Sequence, residues 1–314
     1  MTSIRKLRRD YASADLSTID GMLSHLTDED AVMRFSLEDR RREVEAELAA
    51  ISDEPENRAQ AAVLFGGRPV VGSLGIESEF AGHVVGLVQD LVAKQHAQET
   101  DGGLGQRGVV ANKAAARLHV TEALRGSFGF VLEELHPEET FVPSSLKVAL
   151  DHVTDLLSAF AEPDKERFDL AIENADQRVL ATVGDFFSYL DREGATLRLV
   201  SGDSDRPFDD DAIKRAAERA STTTVTDKDE DIPGQLAGIL PDRHLFEFRC
   251  ESPRGVISGN VDRQLSAAAA AELQNQWVNR TAVGVFRVRQ VMTGGELVRE
   301  TFTLKSIRET ERAG

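Results

Sequence analysis

One cysteine, one tryptophan and two tyrosines occur in 314 residues, and each scarcity closes off a class of protein. A lone Cys250 leaves no intrachain disulfide and no cysteine-rich zinc site. Aromatics are only 6% of the chain, so the core has to rest mainly on Leu, Val, Ile and Ala. No apolar run approaches the roughly 18 residues of a membrane helix. The basic Arg5, Lys6, Arg8 and Arg9 have no apolar stretch behind them of the secretory kind. Positive charge is short as well: 37 Lys and Arg stand against 54 Asp and Glu, a net of −17. Such a balance disfavours anionic membranes and bulk nucleic acid. Walker, H-E-x-x-H and C-x-x-C patterns are missing too. The expectation is a soluble, cytoplasmic protein with no membrane partner, no metal and no cofactor.

What is present is ordinary for a folded chain, 41% hydrophobic and 29% charged. The acidity is uneven. Residues 237–314 carry 11 Lys and Arg against 9 Asp and Glu, so the preceding part holds a net of −19. The patterning predicts an α+β protein in four stretches: an N-terminal tail with helices (1–56), a central mixed α/β domain (57–200), an acidic connecting segment (201–233) and a small β-barrel (234–314).

Residues 1–15 read as a loose basic tail. Ile19, Met22, Leu23 and Leu26 mark a first short helix, and Leu37, Val44, Leu48 and Ile51 form a thin stripe on a second, about 37–51. A stripe that narrow suits a helix laid on a partner surface, in its own domain or in a second subunit. An ordinary packed helix with a solvated face is the more economical reading. Ala61–Phe65 turns through Gly66-Gly67-Arg68-Pro69 into Val70-Val71. The best-patterned helix follows, with Phe80, Val84, Leu87, Val88, Leu91 and Val92 at three- and four-residue spacing. His83 and His96, thirteen apart, read as surface or boundary residues. A strand-like stretch covers 116–135, helices are expected over 144–160 and 164–192, and Gly194 stands where a helix stop belongs.

From Gly234 onward the pattern is three short strands, a helix at about 265–279 and two more strands. That is the element order of a five-stranded barrel of the OB type, with Leu265, Ala269, Leu273 and Trp277 as the helix face that stoppers it. In the last hairpin a three-residue loop, Gly294-Gly295-Glu296, would pair Phe286 with Leu304, Val288 with Phe302 and Met292 with Val298. The same register puts Arg287, Arg289, Arg299 and Lys305 on the outer face. They form either a strip for a polyanion or solvated charges that discourage edge pairing. With the aromatics inside and none left outside to stack on bases, the solvated reading is the stronger.

Gly103-Leu104-Gly105-Gln106-Arg107-Gly108 matches G-x-G-x-x-G but lacks the strand before it and the helix after it. Were that loop to hold an anion, Arg107 and Lys113 are the charges at hand. Gly72-Ser73-Leu74-Gly75 and Gly126-Ser127-Phe128-Gly129 are not nucleophile elbows. The acid clusters at 203–205, 209–211 and 227–231 lack a calcium-loop spacing and read as helix-start and loop carboxylates. Cys250 alternates with Phe246 and Phe248 as a small core residue.

The leading expectation is a non-enzymatic binding or assembly subunit of a cytoplasmic complex. Its partners would be proteins, among them a second copy through the N-terminal helices. The alternative is a nucleotide-handling enzyme or hydrolase that uses the glycine loops 72–75 and 102–108. A weaker third is a nucleic-acid-associated factor, of the stress or phage-defence kind, that works through the barrel.

Overall fold

The basic N-terminal stretch is a helix. In the structure, a computed structural model describing residues 3–27, 30–51, 57–100, 113–124, 128–135, 142–173, 175–251, 253–262 and 265–309, α1 spans Ser3–His25 and is followed by α2, Ala31–Ala50. The loose tail expected over 1–15 is therefore corrected. Ile4, Leu7 and Tyr11 recur at three- and four-residue spacing between the cations, and they pack with Ala62, Leu64, Leu124, Val131 and Val200 of a sheet. The chain divides into two units, Met1–Ala217 and Glu218–Gly314.

In the first unit, β1 (Gln60–Gly67) runs into a small hairpin of β2 (Val70–Val71) and β3 (Gly75–Ile76), and α3 (Ser78–Thr100) follows. The stretch expected as one strand over 116–135 holds two, β4 (His119–Leu124) and β5 (Phe128–Glu133), paired antiparallel. After α4 (Ser145–Ala161), the expected single helix over 164–192 is two, α5 (Lys165–Glu173) and α6 (Gln177–Glu193). Asp176 starts the second by accepting the Arg178 N–H, a cap that ends any continuous helix there. Strands β6 (Ala195–Ser201) and β7 (Ser204–Phe208) complete an antiparallel sheet of order β4-β5-β1-β6-β7. Alternation along β1 sends Ala62 and Leu64 toward α1, and Ala61, Val63 and Phe65 toward the other face. There Phe65 meets Phe80 of α3 edge-on at 5.4 Å.

Gly194 ends α6 in the left-handed conformation (φ 59°), as the sequence implies. Its carbonyl accepts the Arg68 N–H at 3.0 Å, and Gly67 (φ 82°) comes so close that a Cβ there would lie 2.2 Å from that oxygen. Only glycine fits.

Helix α7 (Asp210–Thr222), begun by Asp209 accepting the Ala212 N–H, leads into the second unit. Its strands are β8 (Thr223–Leu240), β9 (Leu245–Cys250), β10 (Val256–Val261), β11 (Thr281–Thr293) and β12 (Glu296–Arg308), with α8 (Ala267–Trp277) between β10 and β11. They close in the order β8-β9-β10-β12-β11 and back to β8, antiparallel everywhere except between β10 and β12. This is the connectivity of an OB-type barrel. Residues 223–233, expected within a connecting segment, form the first part of β8, where every residue pairs with β11.

Phe286 fills the barrel centre, its ring 5.2 Å from those of Phe246 and Phe248. The stopper face of α8 falls on Ala270 and Trp277, with Leu265 and Leu273 packed beside them, so Ala270 takes the place expected for Ala269. The last hairpin pairs Phe286 with Leu304 and Val288 with Phe302, as the apolar match requires. It does so through a two-residue turn, Gly294-Gly295, both at positive φ, rather than three residues. A bulge that leaves Val298 extra pairs Met292 with Leu297 and resets the register.

Candidate functional site

Helix α2 is held against α1 by a narrow apolar seam and by charge. Val44 is its one buried residue, with Leu37 and Leu48 half-buried on the same side. Arg41 reaches Asp20 at 2.9 Å, Arg40 reaches Asp15 at 3.2 Å, and Arg34 donates to the Leu26 carbonyl at 3.2 Å. Exposed pairs of this kind contribute at most about 1 kcal/mol each. Near the closed end of this helical hairpin, Val32 is 87%, Phe35 68%, Met33 58% and Met22 52% exposed. Val32 and Phe35, three residues apart, share one side of α2, and exposed apolar side chains that share a face mark contact surfaces more often than isolated ones do.

Beside the hairpin lies a cleft of about 1220 Å³, lined by Arg5, Arg8 and Tyr11 of α1, Arg40 and Glu47 of α2, and Glu122 of β4. Its charges are matched internally: Arg8 bridges Glu122 at 3.4 Å and Glu133 at 2.9 Å. Burial pushes the Glu133 carboxyl up, but hydrogen bonds from Gln60 and Thr121 and the nearby Arg8 leave it below the usual carboxylate range.

The residues singled out in the sequence fall at separate places. Arg107 and the whole 102–108 loop lie outside the described residues. Lys113 opens a short 3₁₀ turn and donates to Asp90 at 3.1 Å, where Lys94 also binds at 2.8 Å. Burial raises the Asp90 carboxyl, and these two lysines hold it below its ordinary value. Gly72 and Gly75 flank the exposed turn between β2 and β3, closed by Leu74 N–H to the Val71 carbonyl at 2.9 Å.

On the barrel, pairing of β11 with β8 sets Asp229 opposite Arg287 and Asp227 opposite Arg289. Lys305 reaches Asp229 at 2.9 Å, Arg289 lies 3.9 Å from Asp227, and Arg308 pairs with Asp231. Arg299 stands opposite Val291. The basic strip and the acidic run 227–231 are thus two sides of one cross-strand charge ladder. Once β8 is included, the second unit holds 13 Lys and Arg against 14 Asp and Glu. The basic excess read from residue 237 onward disappears. The outward side chains of β9 and β10 are Leu245, Glu247, Arg249, Val256, Ser258 and Asn260, with no ring among them.

His96, expected at the surface, is 5% exposed, and its Nε2 lies 2.9 Å from Oγ of Ser145 at the start of α4. The stripe that continues from Val88 and Val92 to His96 at four-residue steps is the signal for its burial. Preceding it, Ser144 caps α4, accepting the Lys147 N–H at 3.0 Å and donating to Glu134 at 2.5 Å. The contact ties α3 to α4. His83 is exposed, against Tyr189. Among the described residues no three His, Cys, Asp or Glu side chains gather as metal ligands, and none of the described helices is long and apolar enough to cross a membrane.

No protein-family model matches this chain, and no curated protein or solved structure does so.

Proposed function

We propose that this protein is a non-enzymatic contact subunit that assembles with other protein through its N-terminal helical hairpin. The observation that carries the reading is the exposure of Val32, Met33, Phe35 and Met22 near one end of a hairpin whose own packing needs only a thin seam. Covering a side chain such as Phe35 is worth about 2 kcal/mol, so a partner that buries the group gains several times that before the costs of association. The charge ladder on the barrel supports the same reading, because cations already matched by Asp227, Asp229 and Asp231 offer little to a polyanion.

Affinity purification of the full-length protein from its source, with and without Val32→Ser and Phe35→Ser, tests it. A stoichiometric companion, either another protein or an untagged copy, is expected with the wild type. It should fall at least ~10-fold with the double variant while circular dichroism stays unchanged. Equal recovery by both proteins would overturn the reading.

A further inference from the structure

The solvent-facing side of α2 has a pattern of its own. Val32, Phe35, Asp39, Arg42, Ala46 and Ala49 alternate steps of three and four, the seam spacing of a helix that pairs with another helix. Leu37 and Val44 lie on the opposite side of the helix, toward α1. All six outer residues are exposed: Val32 and Phe35 strongly, Asp39 and Arg42 with side chains 56% and 67% accessible, and both alanines too. Arg42 donates to Asp39 at 2.9 Å, so both polar side chains already sit on this seam.

Read in the reverse direction, the seam is its own complement. Turning a second α2 antiparallel about a point between Arg40 and Arg41 brings Val32 against Ala49, Phe35 against Ala46 and Asp39 against Arg42, each twice by symmetry. Along these six positions each bulky side chain meets a small one, and Asp39 meets Arg42. We infer that this face is a two-fold antiparallel interface between two copies of the chain. The inference rests on the proposed contact function and names the partner.

A second copy satisfies the seam because an isologous contact requires a surface that is self-complementary on reversal. The seam is about 25 Å long at 1.5 Å per residue, which places the interface at the small end of those that hold two proteins together. One flank opposes it: Glu38 of each copy faces Glu45 of the other, so like charges meet there. The result is a reversible dimer with a dissociation constant on the order of 10 µM.

Sedimentation equilibrium of the full-length protein is the test. Wild type should show a monomer–dimer equilibrium between roughly 1 and 100 µM. Asp39→Arg alone sets Arg against Arg, and Arg42→Asp alone sets Asp against Asp. Each should weaken the dimer by ~10-fold, and the double exchange Asp39→Arg with Arg42→Asp should return it to within ~3-fold of wild type. Glu38→Lys, which turns the opposed flank attractive, should tighten it. All these positions are exposed, so the fold is preserved and unfolding curves serve as the control. A monomeric wild type at ~100 µM, or a double exchange as weak as either single change, would overturn the inference. If the wild type is monomeric while Phe35→Ser still abolishes capture of a different protein, the contact function stands and only the second copy falls.

Discussion

The barrel and the N-terminal hairpin treat the same kinds of residue in opposite ways. In the barrel, phenylalanines go inward and charges are matched across strands. Trp277 of α8 seals the end where β8 turns into β9. Arg254, from the turn at the other end of β9, binds Glu230 at 2.7 Å and Glu300 at 3.5 Å while lying 5.7 Å over the Phe302 ring. In the hairpin, Phe35 faces solvent and the Asp39–Arg42 pair sits beside it on an open face. The barrel also leaves Leu240, Leu245, Val256, Leu297 and Val298 in water, so the difference lies in the rings: the described phenylalanines of the barrel are buried and Phe35 is open. The contrast is what the proposed contact function rests on, with the barrel's charges matched across its own strands.

Substitutions at matched positions can break or sharpen this contrast. Phe286→Ala, which empties the centre of the barrel, should cost about 3–5 kcal/mol, seen as an earlier barrel transition in urea unfolding of the whole chain; a shift under about 1 kcal/mol would mean the barrel is loosely packed. Gly67→Ala should destabilise the first unit by at least about 1–2 kcal/mol from its backbone conformation alone, with the overlap on the Gly194 carbonyl added, while leaving the barrel transition in place.

The Arg254 pair supplies a smaller effect, with a sign. The Arg254 hydrogen bond holds the Glu230 carboxyl below its ordinary value, against burial. A lowered carboxylate pKa contributes stability that is present above the unfolded value of about 4.3 and is lost as pH falls through the lowered one. Arg254→Met should therefore flatten the acid limb of the barrel's stability profile below about pH 4.3 and cost under about 1 kcal/mol at neutral pH. An unchanged limb would leave the pair without a role. Phe35→Ser closes the series: it should move unfolding by no more than about 0.5 kcal/mol, although the residue type is the same as at Phe286.

The barrel was legible in the sequence because its period-two alternation is strong. Phe246 and Phe248 on one face, and the match of Phe286 to Leu304, limit the register to one choice whatever the loop length. A bulge at Val298 could not be read, since only the twist of neighbouring strands decides where an extra residue is absorbed. The first half of helix α1 was missed for a different reason, whereas Ile19, Met22 and Leu23 mark its second half. Of the described residues up to Arg9, only Ile4 and Leu7 make the apolar contacts with the sheet, and Arg5, Lys6, Arg8 and Arg9 dominate any composition reading of that stretch. The candidate interface was half legible: α2's thin inner stripe is plain in the sequence, but whether its partner was α1 or another chain was not.

Local pattern by itself determined where most helices and strands fall though not where several break, the barrel's inner face, the helix stop at Gly194 and the absence of disulfides, because each depends on residues close in sequence or on composition. Tertiary structure alone decided that Asp227, Asp229 and Asp231 lie against the cations of β11 and β12, that His96 is buried on Ser145, and that α2 spends its inner face on α1 and leaves Val32, Phe35 and Ala46 outside. Those outcomes join residues dozens of positions apart, and nothing local specifies which distant surface a given face will meet.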